Sequence, residues 1–238
     1  MESFILRIAD INIKIEALQS FTKEYCKDFI LPLSSPYEYL IHIQERDLEI
    51  ERERDKDKGM YGSVELSCLY RKIAEYMITK DILLFHGSCI GVDGKAYIFT
   101  ARSGTGKSTH TALLKKLLGD RMIYINDDKP LLAISKEEVR AYGTPWNGKE
   151  RRGSNTSLLL KGIALLSRSE TNSMRRIDKK EALVKVLSQI YLPEDKILRI
   201  KALGLINDLL ERVSFYDLQV NMDIEAAITS YQTMIKEN

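Results

Sequence analysis

A glycine-rich segment at residues 101–109 constrains the fold of this chain more than any other feature. It reads Ala-Arg-Ser-Gly-Thr-Gly-Lys-Ser-Thr and follows an apolar run over 95–100 that indicates a strand. Leucines at helical spacing over 107–118, with Gly119 behind them, indicate a helix. A glycine-rich bend between a strand and a helix is typical of α/β proteins that bind a phosphate with backbone N–H groups at the helix N-terminus.

The segment matches the P-loop (Walker A) pattern G-x-x-x-x-G-K-[ST] at every position except the first, where Ala101 stands in place of glycine. Gly104 and Gly106 allow backbone angles closed to other residues, so successive N–H groups can converge on one phosphate. Lys107 offers a point charge to the β and γ phosphates, and the Ser108 hydroxyl suits Mg²⁺. We therefore predict ATP and Mg²⁺ as cofactors, with nucleotide contacts from Ser103, Gly104, Thr105, Gly106, Lys107, Ser108 and Thr109. The alternative is a flexible glycine turn without a ligand.

Two adjacent carboxylates, Asp127 and Asp128, follow a short apolar run over 122–125 that indicates a strand. An acid at a strand end, one helix beyond Ser108, is where a metal-holding residue is expected. Neighbouring side chains on an extended backbone point to opposite sides, so one aspartate can hold Mg²⁺ while the other serves as a general base. The pattern leaves open which aspartate is the base. The alternative is an Asx turn that closes a loop.

The remaining periodicity divides the chain into a β-rich N-terminal piece over 1–60 and a nucleotide-binding core over 61–238. A densely charged stretch over 45–58, with seven acidic and five basic residues, predicts a solvated turn or an edge strand. Asp93 and Gly94 favour the tight turn of a hairpin. Other predicted elements are a hairpin over 3–16, a strand over 38–43, a helix capped by Ser63 that ends near Lys80, strands over 82–92 and 161–166, helices over 178–190, 194–213 and 223–235, and an extended run over 215–220.

Composition excludes several classes of partner. The net charge is only +2 and the basic residues are scattered among acids, so we expect no nucleic-acid partner. No run of 18 apolar residues and no basic leader occurs, which predicts no membrane partner and a cytoplasmic protein. The three cysteines, Cys26, Cys68 and Cys89, lack zinc-ligand spacing and are expected to be reduced thiols.

The stretch over 85–134 resembles the catalytic core of the HPr kinase/phosphorylase family and its relative, ATP-dependent phosphoenolpyruvate carboxykinase. Those proteins place a His-Gly or His-x-Ser strand, a hairpin, a GxSGxGK[ST] loop and an Asp-Asp pair in this order. Here these features are His86, the loop at 101–109, and the pair of Asp127 and Asp128. The resemblance covers roughly residues 82–170 and implies an α/β fold with a P-loop-containing HPr kinase/phosphoenolpyruvate carboxykinase-like core.

The resemblance also implies roles for individual residues. Lys107 and Ser108 would bind nucleotide phosphates and Mg²⁺, and Asp127 and Asp128 would divide metal binding and general-base duty. His86, predicted in the strand before the loop, would position or polarise the acceptor. Residues 150–153 (Glu-Arg-Arg-Gly) resemble the Glu-x-Arg-Gly signature of HPr kinases, which would bring Arg152 to the transferring phosphate. The next three residues depart from the family pattern, so phosphorolysis stays open.

These features predict a kinase (a phosphotransferase) that moves the γ-phosphoryl group of ATP to a hydroxyl, and the resemblance favours serine of a protein or peptide. A small-molecule acceptor stays open. Carboxykinase chemistry is a rival, although the chain is about half the length that the resemblance implies. A nucleotide-binding regulator without turnover is another. Relatives assemble into oligomers, so a homo-oligomer is an open alternative.

Several nearby residues carry weaker expectations. Trp146 is expected either to line a pocket or to pack on the core. Lys129 and Lys149 are expected to be solvated or to add charge near the phosphates. His110 is predicted to lie on the surface of the helix that follows the loop.

Overall fold

The computed structural model describes residues 1–54 and 61–236. The chain divides into two compact units, Met1–Met77 and Ile78–Asn238. The sequence-based boundary between 60 and 61 adjoins residues 55–60, which lie outside the described part. In the structure, the boundary between the two units lies further along the chain, between Met77 and Ile78, within the helix Tyr61–Thr79.

A four-stranded sheet forms the centre of the first unit, in the order β3-β1-β2-β4. Ala9 and Asp10 form the turn of the β1–β2 hairpin, with φ of 50° and 61°. This confirms the hairpin predicted around Asp10. The strands are β1 (Glu2–Ile8), β2 (Ile11–Ala17), β3 (Ile30–Leu31) and β4 (Tyr39–His42).

In the described part of the first unit, the α-helices beside this sheet are α1 (Ser20–Tyr25), α2 (Glu45–Arg54) and α3 (Tyr61–Thr79). The turn or edge strand predicted over 45–58 is wrong for the described residues, which form α2. The physical reason is pairing between helices. Leu48 is fully buried, Glu51 pairs with Arg71, and Asp47 Oδ1 lies 2.9 Å from Lys72 Nζ. The basic side chains of Arg71 and Lys72 on α3 thus form ion pairs with acidic side chains of α2, which favours the helix in this segment.

The helix α3 buries one apolar face, which consists of Leu66, Leu69, Ile73 and Met77. The predicted cap is wrong. The helix already begins at Tyr61, so Ser63 lies in its first turn.

The second unit contains a nine-stranded sheet in the order β5-β9-β10-β11-β7-β6-β8, with β13 beside β11 and β12 beyond β13. The strand β11 is the central one. It runs parallel to β7 along one edge and parallel to β13 along the other. The strands are β5 (Ile82–Leu84), β6 (Ser88–Val92), β7 (Lys95–Thr100), β8 (Met122–Asn126), β9 (Leu131–Ile134), β10 (Val139–Tyr142), β11 (Ser157–Arg168), β12 (Ser173–Ile177) and β13 (Ser214–Val220).

Helices cover this sheet on both faces, as expected for an α/β fold. The helices are α4 (Lys107–Leu118), α5 (Lys179–Val186), α6 (Lys196–Arg212) and α7 (Ile224–Ser230), which continues as a π-turn over Tyr231–Ile235. Alternate residues of β11 face opposite sides. Ile163 and Leu165 pack in the cluster that holds residues of α5 and α6, whereas Ala164 and Leu166 pack with residues of α4 and α7.

The hairpin before the glycine-rich loop is confirmed, since Asp93 and Gly94 form its turn with φ of 48° and 81°. The single strand predicted over 82–92 is wrong. It is divided into β5 and β6, and His86 lies between them rather than within a strand. The strand β5 pairs with β9, whereas β6 pairs with β7 and β8. The chain must therefore cross from one part of the sheet to another between β5 and β6. A Cβ atom on Gly87 would lie 2.8 Å from Ile98 Cγ2 and 3.2 Å from the Phe99 carbonyl oxygen, so a larger residue would have to displace its neighbours at this crossing.

Candidate functional site

The glycine-rich loop connects the end of β7 to the start of α4. Gly104 and Gly106 have φ of 76° and 122°. No heavy atom of the described residues lies within 4 Å of a Cβ built on either glycine, so backbone conformation, not space, demands glycine there. Ala101 has no positive φ, and its carbonyl oxygen accepts a hydrogen bond from Lys107 Nζ at 3.1 Å. The alanine that departs from the pattern is therefore unstrained.

Lys107 and Ser108 occupy the first turn of α4, where backbone N–H groups carry a partial positive charge. Lys107 is only 9% exposed. Burial lowers the pKa of its ammonium group, and the carboxylate of Asp128 acts in the opposite direction. The nearby carboxylates thus help to keep a largely desolvated lysine charged.

Asp127 lies at the end of β8 and turns toward α4. Its Oδ1 accepts a hydrogen bond from Ser88 Oγ and lies 3.4 Å from Ser108 Oγ. Ser88 also lies 3.2 Å from the hydroxyl of Thr111, one turn further along α4. Burial raises the pKa of Asp127, while the hydrogen bonds from Ser88 and Ser108 oppose that shift. A carboxylate and a serine hydroxyl therefore face each other at the helix N-terminus.

Asn126 explains why the two aspartates diverge. It is fully buried, and its Nδ2 donates to Thr144 Oγ1 at 2.9 Å. Its Oδ1 accepts hydrogen bonds from the backbone N–H groups of Asp128 at 2.9 Å and Lys129 at 2.5 Å. The Asx turn that was weighed for the acidic pair is thus made by Asn126, which leaves both aspartate side chains available to the site.

His86 lies beside Asp128, with its Nε2 at 3.5 Å from Asp128 Oδ1. Its Nδ1 lies 3.1 Å from Gln189 Oε1, and its backbone carbonyl oxygen accepts a hydrogen bond from Thr100 Oγ1 at 2.7 Å. Because Gln189 Oε1 acts as an acceptor, Nδ1 carries the proton and Nε2 presents a lone pair to Asp128. Burial, followed by the charges of Lys129 and Lys107, lowers the pKa of His86 to about 4. His86 is therefore neutral at neutral pH.

These groups share one cavity of about 490 Å³, here called the first cavity. It brings together the predicted loop residues, the acidic pair and His86, and adds residues 148–150. Its lining consists of His86, Ser103, Gly104, Gly106, Lys107, Ser108, Thr109, Asp127, Asp128, Gly148, Lys149 and Glu150. Thr105 is the one predicted nucleotide contact outside this lining among the described residues.

Arg152 is placed differently from the other predicted site residues. Its guanidinium lies 5.4 Å from the ring centre of Tyr124 and 3.8 Å from Glu150, and it is not among the described residues that line the first cavity. Its backbone oxygen accepts a hydrogen bond from Asp127 N at 3.0 Å. The positive charge of Arg152 opposes the rise in the pKa of Asp127 that burial causes.

The structure also places the four residues that carried weaker expectations. The prediction that His110 lies on the helix surface is wrong, because it is 2% exposed and its ring packs 4.8 Å from that of Phe99. Trp146 is 9% exposed and lies outside the described lining of the first cavity, so it packs on the core. Lys149 lines the first cavity, whereas Lys129 acts through its charge on His86.

Three further residues of this site were not predicted from the sequence: Ser88, Asn126 and Gln189. The sequence offers a weak indication for two of them, because Ser88 follows His86 by two residues and Asn126 directly precedes the acidic pair. Gln189 lies 103 residues from His86 and has no such indication.

The donor set fits Mg²⁺ bound together with phosphate oxygens. Among residues 1–54 and 61–236, no group of three or more His, Cys, Asp or Glu could hold a metal by itself. Mg²⁺ is commonly held by one or two carboxylates and by substrate phosphates rather than by an all-protein cage. Asp127, Asp128 and the hydroxyl of Ser108 supply oxygen ligands of this kind.

Comparisons with known proteins add little. No protein-family profile and no curated protein matches the chain. A solved structure of the Hpr(Ser) kinase/phosphatase from Coxiella burnetii matches with 12% sequence identity over 53% of this chain and 90% of that chain, at a TM-score of 0.30. A likeness at that TM-score supports no conclusion about activity. In the described part of the chain, no helix is long and apolar enough to cross a membrane.

Proposed function

We propose that this chain is an ATP-dependent phosphotransferase that moves the γ-phosphoryl group to a hydroxyl acceptor. One observation carries the proposal: the glycine-rich loop with Lys107 and Ser108, the carboxylates of Asp127 and Asp128, and neutral His86 line the same cavity. A cation, a helix N-terminus and two carboxylates around one space are the parts that phosphoryl transfer requires.

The loop and α4 would bind the triphosphate through backbone N–H groups, and Lys107 would hold the β and γ phosphates. Asp127 and Ser108 would hold Mg²⁺, since both already face each other across 3.4 Å. When bound, this ion supplies positive charge that offsets the negative charge on the transferring group.

Asp128 is the proposed general base, because Asp127 is engaged by two serine hydroxyls. Asp128 takes the proton of the acceptor hydroxyl as the acceptor oxygen bonds to the γ phosphorus. The bond from that phosphorus to the bridging oxygen breaks, and ADP leaves. Once protonated, Asp128 can donate a hydrogen bond to the lone pair of His86 Nε2, which stabilises the proton on the base.

The class of acceptor rests on weaker support. Serine of a protein or peptide comes from the family resemblance alone, and a small alcohol fits the same chemistry. The replacement of the first glycine of the pattern by Ala101 does not favour a regulator without turnover, because Ala101 has no positive φ in the loop.

The test is a transfer assay with ATP, Mg²⁺ and a panel of serine peptides, small alcohols and oxaloacetate, read by the mass gain of the acceptor and by ADP. The wild type is expected to phosphorylate a hydroxyl acceptor, and Lys107→Ala is expected to lose about 100-fold or more of that rate. Product only from oxaloacetate would indicate carboxykinase chemistry. Tight ATP binding without transfer to any acceptor would indicate a regulator.

A further inference from the structure

Arg168 lies at the end of β11, the central strand of the nine-stranded sheet. The pairing of β11 with the parallel strand β7 ends at Leu165 and Thr100. The strand β11 continues beside β13 as far as Arg168, which lies opposite Val220, and Ser169 N donates to the Val220 carbonyl at 3.0 Å. The end of β11 therefore extends past the end of β7, and its backbone is held in place by β13.

The side chain of Arg168 bridges from this strand end to the glycine-rich loop. Because side chains alternate along a strand, Arg168 shares a face of the sheet with Ala164 and Leu166, which pack with residues of α4. Its Nε donates to the Thr105 carbonyl at 3.0 Å, and its Nη2 donates to the Gly104 carbonyl at 2.5 Å. One planar guanidinium thus binds two consecutive loop carbonyls side by side.

These two hydrogen bonds orient the peptide groups of the loop. In a trans peptide, the carbonyl of one residue and the N–H of the next point in opposite directions. With the Thr105 carbonyl on the guanidinium, the Gly106 N–H points away from Arg168. Within the described residues, nothing accepts a hydrogen bond from this N–H group, and Gly106 lines the first cavity. The Thr105 N–H donates to the Arg102 carbonyl at 3.2 Å, which closes the turn.

The loop has a conformational cost that such contacts offset. Glycine is the most flexible residue, so Gly104 and Gly106 lose much freedom when a ligand fixes the loop. Lys107 Nζ holds the start of the loop at the Ala101 carbonyl, and Arg168 holds its middle. A loop that is already ordered in the ligand-free protein loses less entropy on binding, which increases affinity.

We propose that Arg168 is a positioning residue for the phosphate chain, which orders the loop from its carbonyl side and so raises the affinity for a triphosphate. This inference rests on the proposed function, since the phosphates must lie in the first cavity. Arg168 is not among the described residues that line this cavity. It therefore acts through the loop backbone rather than by contact with the ligand.

The test measures the affinities of ATP and inorganic tripolyphosphate, each with Mg²⁺, for the full chain by calorimetry. Arg168 is exposed, so its variants should fold normally. Arg168→Ala is expected to bind both ligands about 10-fold more weakly than the wild type, because it lacks the charged hydrogen bonds to the loop. Arg168→Lys keeps the charge but lacks the planar fork, so it should recover only part of the affinity, to about 3-fold below the wild type.

Two further measurements separate positioning from a general structural role. In the transfer assay, Arg168→Ala should raise the KM for ATP and keep kcat within about 2-fold, since the loss lies in binding alone. Hydrogen exchange without ligand should be faster over 102–106 in Arg168→Ala and unchanged in the rest of the sheet. Arg176→Ala is the matched control, because it removes an exposed arginine of β12 that lies outside the first cavity, and it should change none of these values.

Equal affinities in Arg168→Ala and the wild type would overturn the positioning role while the proposed function stands. A defect confined to ATP would also overturn it, because it would indicate contact with the base or the ribose. Full recovery in Arg168→Lys would overturn it as well, because charge alone would then suffice. Failure of both ligands to bind the wild type would remove the proposed function and this inference with it.

Discussion

Asp127 and Asp128 are adjacent in sequence but contact different partners. Asn126 binds the backbone of the following residues, which directs Asp127 toward Ser88 and Ser108 and leaves Asp128 beside His86. The alternation of side chains along a strand predicts this divergence. It does not anticipate which aspartate meets which partner, since that depends on β6 and on residues far along the chain.

The divergence predicts different defects for two matched variants. Asp128→Asn should lower the transfer rate by about 10²–10⁴-fold, the usual contribution of a general base, while nucleotide affinity changes little. Asp127→Asn should instead weaken binding of ATP with Mg²⁺ and leave metal-free binding nearly unchanged. Calorimetry with and without Mg²⁺, beside the transfer assay, separates these effects. Interchanged defects would show that the two roles are assigned the wrong way round.

Glu65 gives a stability prediction in the first unit. It is fully buried in α3, and its Oε1 accepts a hydrogen bond from Leu18 N at 2.6 Å. Burial raises the pKa of Glu65, and the hydrogen bonds oppose that shift. A raised folded-state pKa means that this group supports folding below its unfolded-state pKa, and that this support is lost as pH rises through the folded-state pKa. The charged carboxylate therefore costs stability at neutral pH.

Glu65→Gln keeps an acceptor for Leu18 N–H and removes the charge. We expect its Tm to exceed that of the wild type by about 2–4 °C near neutral pH. The gap should narrow as the pH falls and wild-type Glu65 becomes protonated. Thermal melts across the acid range measure this. A gap that widens toward low pH would contradict the stated cause.

At the scale of elements, Gly143 shows how closely two segments pass behind the acidic pair. It follows β10 and directly precedes Thr144, which holds Asn126. A Cβ atom on Gly143 would lie 1.9 Å from the Ser154 carbonyl oxygen and 2.7 Å from the Ile125 carbonyl oxygen. Both neighbours are backbone atoms, which cannot move aside as a side chain can.

Gly143→Ala should therefore lower the free energy of unfolding by about 1–3 kcal/mol and reduce transfer activity, because the turn at Asn126 shifts. Gly204→Ala is the matched control. Gly204 lies within α6, and its Cβ would meet no heavy atom of the described chain within 4 Å. That variant should gain about 0.5–1 kcal/mol of stability. Urea unfolding compares the two, and equal stabilities would contradict the packing argument.

Elements defined by local signals could be predicted from sequence. The turn at Asp93 and Gly94, the helix α4 after the loop, and the cap at Asp178, whose side chain accepts from Glu181 N, all depend on neighbouring residues. The helix α2 could not, because its charges are paired with a distant helix. The break between β5 and β6 could not be predicted either, because it follows from the order of the strands in the sheet.

The candidate site divides in the same way. Its loop and carboxylates have a sequence pattern because their spacing along the chain is part of their chemistry. Through the tertiary fold, Ser88 contacts Asp127 and Arg168 contacts the loop at the Gly104 carbonyl. Gln189 contacts His86 from 103 residues away in sequence. Such partners have no local signature.

At the scale of the whole molecule, the chain has two units with separate buried thiols. Cys26 and Cys68 lie in the first unit and Cys89 lies in the second, and all three are buried thiols. Burial raises the pKa of Cys68 to about 11 and raises that of Cys89 further still. The thiolate is the reactive form, which these raised pKa values disfavour in Cys68 and Cys89. Because all three side chains are also buried, we expect all three to react slowly in the native protein.

We expect little labelling by a thiol reagent at neutral pH in the folded chain and labelling of three thiols after denaturation. In a urea gradient, Cys26 and Cys68 should become reactive together as the first unit opens, whereas Cys89 should report the second unit. Peptide mass analysis assigns each label. Rapid labelling of Cys89 in the native state would contradict its burial in the core.

The central claim is that the bend between β7 and α4 receives a triphosphate with Asp127 opposite. A crystal structure with a non-hydrolysable ATP analogue and Mg²⁺ tests it most directly. The account predicts β and γ phosphates on the backbone N–H groups around Gly104 and Gly106, Lys107 in contact with them, and Mg²⁺ bound by Ser108 and Asp127. An analogue bound elsewhere, or bound with both aspartates turned away from the metal, would contradict it.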